Sequence, residues 1–256
     1  MRFFISFTFL SCLSILGALC ALPARAESLT VAVAANVQYA FDDLRTAFTQ
    51  QSAISIKPLY ASSGKLTAQI QNGAPFDLFV SADMEYPEAL QRAGLASSAP
   101  KIYAYGVLVL WSMQSLDLSK GIAVLADNSI RKVALPNPQV APYGREALRA
   151  LQSSKLAERV MPKLVYGESI GQASQYIFSG VVDAGFTAKS VVLSPEMQGK
   201  GRWVEVEARL YTPIAQGAVI LKHGQTAHPK AAQLFLDFLF SKTARTIFTR
   251  YGYCLP

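Results

Sequence analysis

The stretch LTVAVAANVQYAFDDLRTAF, residues 29–48, sets the reading of the whole chain. Residues 29–34 are a short run of β-branched and small apolar residues, the length of a buried strand and too short for a helix. Asn36 follows in the position of a helix N-cap. Val37, Ala40, Phe41, Leu44, Ala47 and Phe48 then recur at helical spacing. Strand, short loop, helix is the expected unit, and the chain repeats it. Residues 54–60, the loop Ala61-Ser62-Ser63-Gly64 and a helix over 65–71 make a second copy. Residues 77–80 begin a third, whose helix opens at Pro87 and stops at Gly94, a favoured first position and a favoured end position. Such alternation predicts an α/β fold with mainly parallel sheets.

Further along, strands are expected at 132–135, 164–166 and 184–188, with loops at 136–142 and 167–171 ahead of helices. Two longer apolar runs, 103–111 and 214–221, each carry an internal glycine. Their separation of about a hundred residues predicts two lobes of ordinary domain size between which the chain crosses twice. Residues 27–104 and 216–256 would form the first lobe, and residues 105–215 the second.

The N-terminus reads as an export signal. Met1 and Arg2 precede an almost unbroken apolar run over 3–22, and Ala24-Arg25-Ala26 has the small-x-small form of a cleavage site. Cleavage is expected after Ala26. Leu19 is too bulky to precede a lipidated Cys20, so a released protein is expected. Loss of Arg2 and Arg25 lowers the formal charge from +7 to +5. The excess is spread along the chain, which argues against nucleic acid as a partner and favours the approach of a small anion. Cys254 alone remains after cleavage, which excludes an intrachain disulfide; it is expected as an inert packed thiol. The two histidines, His223 and His228, are not in the sequence spacing of a zinc site. Asp77 and Asp83 are read as structural, and no nucleotide-binding motif occurs.

Four strand-to-helix loops share one chemistry: Ala35-Asn36, Ala61-Ser62-Ser63-Gly64, Ala141-Pro142-Tyr143-Gly144 and Ser169-Ile170-Gly171-Gln172. Each places small or hydroxyl residues just before a helix. Ligands of α/β folds lie beyond the carboxyl ends of strands, where first-turn N–H groups lack partners and the helix dipole favours an anion. Lys65 and Arg145 follow two of these loops and are expected as solvated charges at helix starts.

At these loops the chain resembles the periplasmic molybdate-binding proteins of ABC transporters, within the type II solute-binding family. The segments are Thr30-Val-Ala-Val-Ala-Ala-Asn36, Tyr60-Ala-Ser-Ser-Gly64, Asn72-Gly-Ala-Pro-Phe-Asp-Leu-Phe-Val-Ser-Ala-Asp83, Asn137-Pro-Gln-Val-Ala-Pro-Tyr-Gly144, Ser169-Ile-Gly-Gln-Ala173 and Arg250-Tyr-Gly-Tyr-Cys-Leu-Pro256. The resemblance implies two α/β lobes joined by two crossover strands, closing on one tetrahedral oxyanion. It also implies a periplasmic location, a membrane permease as partner, a monomer, no catalysis and no cofactor, with molybdenum present only as the oxyanion. Carried over by position, it implies ligand contacts at Ala35, Asn36, Ser63, Tyr143 and Ile170. Ser63 would give its hydroxyl and N–H, Asn36 its amide, and Ile170 its N–H alone; Tyr143 could use either group. Relatives commonly have a Ser or Thr hydroxyl where this chain has Ala35-Asn36. Two other readings stay open: a binding protein for tungstate, sulfate or phosphate, and a secreted hydrolase using Ser63 or Ser169 as nucleophile.

Overall fold

The computed structural model describes residues 27–256, so the signal segment and its cleavage site lie outside the described residues. Among the described residues, ten strands form two five-stranded sheets. The strands are β1 (Ser28–Ala34), β2 (Ser55–Ala61), β3 (Leu78–Val80), β4 (Lys101–Gly106), β5 (Leu108–Ser112), β6 (Val133–Pro136), β7 (Leu164–Gly167), β8 (Ala184–Ala188), β9 (Arg202–Glu205) and β10 (Ile214–Ile220). The helices are α1 (Gln38–Ser52), α2 (Ser63–Gln71), α3 (Glu85–Arg92), α4 (Pro142–Ser153), α5 (Ala157–Val160), α6 (Ile170–Phe178), α7 (Lys189–Val192), α8 (Lys222–Ala227), α9 (Pro229–Phe238) and α10 (Lys242–Arg250). None of the described helices is long and apolar enough to cross a membrane.

The first sheet runs β2-β1-β3-β10-β4 and the second β7-β6-β8-β5-β9. In the first, β1 lies parallel to β2 and β3, and β10 closes it antiparallel to β3 and β4. In the second, β6 lies parallel to β7 and β8, with β5 antiparallel to β8 and β9. This is the expected pair of α/β lobes. The apolar face of α1 supplies Phe41 and Phe48, which meet Phe235 of α9 edge-on with ring centroids 5.8 and 5.0 Å apart. That aromatic cluster returns the C-terminal helices to the lobe of the N-terminal third.

The long run 103–111 divides between sheets. Its first part is β4 and its second part β5, with only Val107 between them. The sheet therefore changes at Val107, slightly beyond the 104/105 limit read from the sequence, and the chain returns over 206–213 into β10. Gly106 is required at the crossing, because a Cβ there would collide with the Tyr143 hydroxyl and the Gln216 amide. Several local expectations fail. Helix α3 starts at Glu85 and not at Pro87. Helix α2 starts at Ser63 and not at 65, so Ser62 holds the cap position. The Cys254 thiol is exposed and not packed, because its backbone pairs with Tyr105 at the edge of the first sheet.

Candidate functional site

Four chain segments meet between the lobes. Ala34, Ala35 and Asn36 come from the end of β1, Ser62 and Ser63 from the start of α2, Ala141, Pro142 and Tyr143 from the start of α4, and Ile170 from the start of α6; with Ala82 they line one cavity. All five residues singled out from the sequence are in this wall. The space they enclose is small, about 10 Å³. None of the lining side chains carries a charge.

The strand ends explain the convergence. The β1 and β2 termini are in register, Ala34 opposite Ala61, so the turns after both strands emerge side by side. In the second lobe Pro136 of β6 and Gly167 of β7 are likewise paired, bringing the starts of α4 and α6 together. Helices α2, α4 and α6 thus aim their first turns at the same space, and a short 3₁₀ turn, Ala35–Val37, does so after β1. First-turn N–H groups have no intrahelical acceptor, and the dipoles add partial positive charge there. Small residues at 34, 35, 82 and 141 let those N–H groups approach a ligand closely.

Ser63 Oγ accepts from the Ala82 N–H at 3.0 Å and lies 3.1 Å from Ser81 Oγ, an arrangement that holds the hydroxyl at the wall. Ser62 Oγ and Asn36 Oδ1 are buried and have no partner. An unpartnered buried polar group costs about 1–3 kcal/mol, and both orphans belong to cavity-lining residues. Ser62 was passed over in the sequence. The signal was its position before Ser63, where a serine normally caps the helix and here makes no cap bond.

Asn36 does not cap α1. Val37 holds that position, and the Asn36 amide donates to Gln216 Oε1 at 2.9 Å and to the Tyr253 hydroxyl at 3.4 Å. Gln216, fully buried on β10, also accepts from Tyr103 at 2.7 Å and donates through Nε2 to the Tyr143 hydroxyl at 3.0 Å. Asn36 in one lobe and Tyr143 in the other are therefore joined through a side chain of β10. Burial holds Tyr143 and Tyr103 well above the ordinary phenol value, so both stay protonated donors. No sequence motif marks Gln216; its place in the glycine-broken run was the only sign.

The cavity is closed at its rim by contacts between lobes. Gly64 N–H donates to Val140 O at 2.9 Å, the Tyr86 hydroxyl to Gln139 O at 3.3 Å, and Ser190 Oγ to Asn36 O at 2.8 Å. Lys65 pairs with Glu168 at 2.6 Å, and Arg145 pairs with Asp83 and, at 3.1 Å, with Glu85. Neither Lys65 nor Arg145 lines the cavity; Lys65 is exposed as expected and Arg145 is more enclosed, and each also bridges the lobes, because the two helix starts that carry them face acidic residues across the cleft. The Lys65 pair is about half exposed and stabilises little, on the order of 0–1 kcal/mol. Asp83 is more enclosed. Burial pushes its carboxyl up from the ordinary value, against the opposing pull of Arg145 and of hydrogen bonds from Tyr86 N–H and Ser81.

The histidines are not at this site. His223 and His228 both lie on Asp77, which precedes β3, whereas Ala82 at the cavity follows that strand. A hydrolase using Ser63 would need a base beside it, and among the described residues both imidazoles lie at the opposite end of β3.

The chain matches the family of bacterial extracellular solute-binding proteins over residues 29–254. It is 38% identical over 243 residues to the molybdate-binding protein ModA of Azotobacter vinelandii, covering 94% of this chain and 95% of that one. It is 38% identical over 234 residues to the molybdate-binding protein ModA of Rhodobacter capsulatus, covering 91% and 90%. The solved Azotobacter vinelandii periplasmic molybdate-binding protein superposes with a TM-score of 0.84 at 35% identity, covering 89% of this chain and 99% of that one. The two-lobed α/β architecture, the strand-end cavity and these matches agree: the chain belongs to the bacterial extracellular solute-binding protein family.

Proposed function

We propose that this chain is the substrate-binding component of a molybdate ABC importer, held in the periplasm as a monomer and handing its anion to a membrane permease without catalysis. The observation that carries this reading is the convergence of helix starts from both lobes on a small cavity with no charged lining. A fully deprotonated dianion presents acceptors only, so a wall of donors suits it. The resemblance to two molybdate-binding relatives at 38% identity supports the choice of anion.

In this reading the N–H groups of Ala35, Asn36, Ser63, Tyr143 and Ile170 surround the anion, with hydroxyls from Ser63, Tyr143 and the orphaned Ser62. The Asn36 side-chain amide, engaged with Gln216, positions Tyr143 through that glutamine. Each lobe contributes part of the donor set, so occupancy favours the closed form, which is the form a permease would recognise.

The test is thermal unfolding with molybdate, tungstate, sulfate or phosphate at equal concentration. A ligand at a hundred times its dissociation constant adds about 2.7 kcal/mol, a rise in Tm of roughly 5–11 °C for a chain of this size. Molybdate and tungstate are expected to produce it, since they are close in size. A shift with sulfate or phosphate alone would move the assignment to another oxyanion, and no shift with any of them would remove it. Ser63→Ala is expected to weaken molybdate binding by roughly 1–2 kcal/mol in isothermal titration; unchanged affinity would take the Ser63 hydroxyl out of the contact set.

A further inference from the structure

We propose that Asp77, His223 and His228 form a binding site for one divalent transition-metal ion of the zinc class, separate from the oxyanion cavity. The Nδ1 atoms of His223 and His228 lie 2.9 and 3.0 Å from the same oxygen, Asp77 Oδ1. The three ligand atoms are all within 4.8 Å of one another. Two imidazoles and a carboxylate are a ligand set that zinc accepts, at about 2.0–2.2 Å from each atom. A metal at the centre of the triad needs only a small outward shift of the two rings. Both are partly exposed, 41% and 33% at the side chain, whereas Asp77 is fixed at 1%.

The backbone has already assembled the site. Asp77 N–H donates to Thr30 O at 2.8 Å, Leu221 N–H donates to Asp77 O at 2.9 Å, and Gly224 packs so close to Asp77 O that a Cβ would collide with it. These contacts press the start of α8 onto the turn before β3 and set His223 in place; His228 holds the cap position of α9. The second carboxylate oxygen, Oδ2, accepts the Thr30 N–H at 2.7 Å. Such an outer hydrogen bond orients a metal-binding carboxylate and leaves Oδ1 for the ion. The partly exposed side of the triad gives solvent access to a fourth position, which a water would fill. The bound ion would tie α8 and α9 to the first sheet, at the end of β3 remote from the cavity.

The experiment is isothermal titration of the chelator-treated, purified protein with Zn²⁺ alone, together with its Tm. One ion per chain and a rise in Tm are expected, and Co²⁺ in its place should give the visible absorption of a tetrahedral site. His223→Gln alters only a partly exposed ring and should weaken binding by more than tenfold, because loss of even an outer-shell partner costs about 10–100-fold. His223→Gln with His228→Gln should abolish binding. Absence of binding to the wild-type chain, or equal binding to the double variant, would overturn the proposal. The molybdate response is measured in the same samples and should be unchanged by the histidine variants, so failure here is distinct from failure of the oxyanion reading.

Discussion

Gly64→Val is expected to weaken molybdate binding by about 100-fold or more while the unliganded protein remains folded. Gly64 sits in the first turn of α2, and a Cβ at this position would lie 2.9 Å from Val140 Cα and 2.7 Å from the Tyr86 hydroxyl. Tyr86 belongs to the same lobe and can swing aside. Val140 is backbone of the other lobe and yields only if the lobes part. A valine would wedge the rim open and break the Gly64 N–H bond to Val140 O. The donors of Tyr143 and Ile170 would then stand too far from an anion held by the first lobe. Hydrogen bonds to charged groups contribute about 1.5–3 kcal/mol each, so losing two costs about 3–6 kcal/mol, with each 1.4 kcal/mol a factor of ten. Isothermal titration gives the affinity and unliganded Tm reports the fold. Affinity within threefold of wild type would mean that this rim contact is not needed for closure. Gly64→Ala should fall between the two.

Gln216→Leu is expected to lower both stability and affinity, and for one reason. The glutamine is fully buried and is the meeting point of Asn36, Tyr103 and Tyr143. Leucine is of similar size but leaves those partners unmatched at about 1–3 kcal/mol each, with part of the loss recovered by rearrangement. A net destabilisation of about 2–4 kcal/mol would lower Tm by roughly 5–15 °C. Molybdate affinity should drop as well, because the Tyr143 hydroxyl loses the donor that orients it across the crossover. A Tm within about 2 °C of wild type would show that the network is not what holds the crossing together. A large fall in Tm with unchanged affinity would confine Gln216 to a structural part.

Much of the candidate site was legible because it is local. A strand end, a small residue and a helix start follow one another within a few positions at Ala34-Ala35-Asn36, at Ala61-Ser62-Ser63 and at Ser169-Ile170. The unpaired N–H groups there are a property of any helix start. The resemblance to a known family at these loops then named the residues that face the cavity. Ser62 was missed because a serine before a helix has an ordinary role as a cap, and only the absence of that cap bond and its orphaned hydroxyl set it apart.

What the sequence determined by itself had its physical cause within one strand–loop–helix unit, although the exact helix starts and caps did not follow from it. That includes the alternation of elements, the α/β class, the glycine at the first crossing and the helix starts suited to an anion; the glycine of the second run, Gly217, lies inside β10, and the return crossing precedes it. What only the tertiary structure decided depends on residues far apart in the chain. Lys65 and Glu168 are 103 residues apart, Asn36 and Gln216 are 180 apart, and Asp77 and His223 are 146 apart. A side chain's composition and spacing state what it can bond to, but its partner is chosen by which strands become neighbours. Here the order β2-β1-β3-β10-β4 places the C-terminal β10 and the segment after it against β3. That placement brings Gln216 to Asn36 and Tyr143 and both histidines onto Asp77, which no reading of local pattern contains.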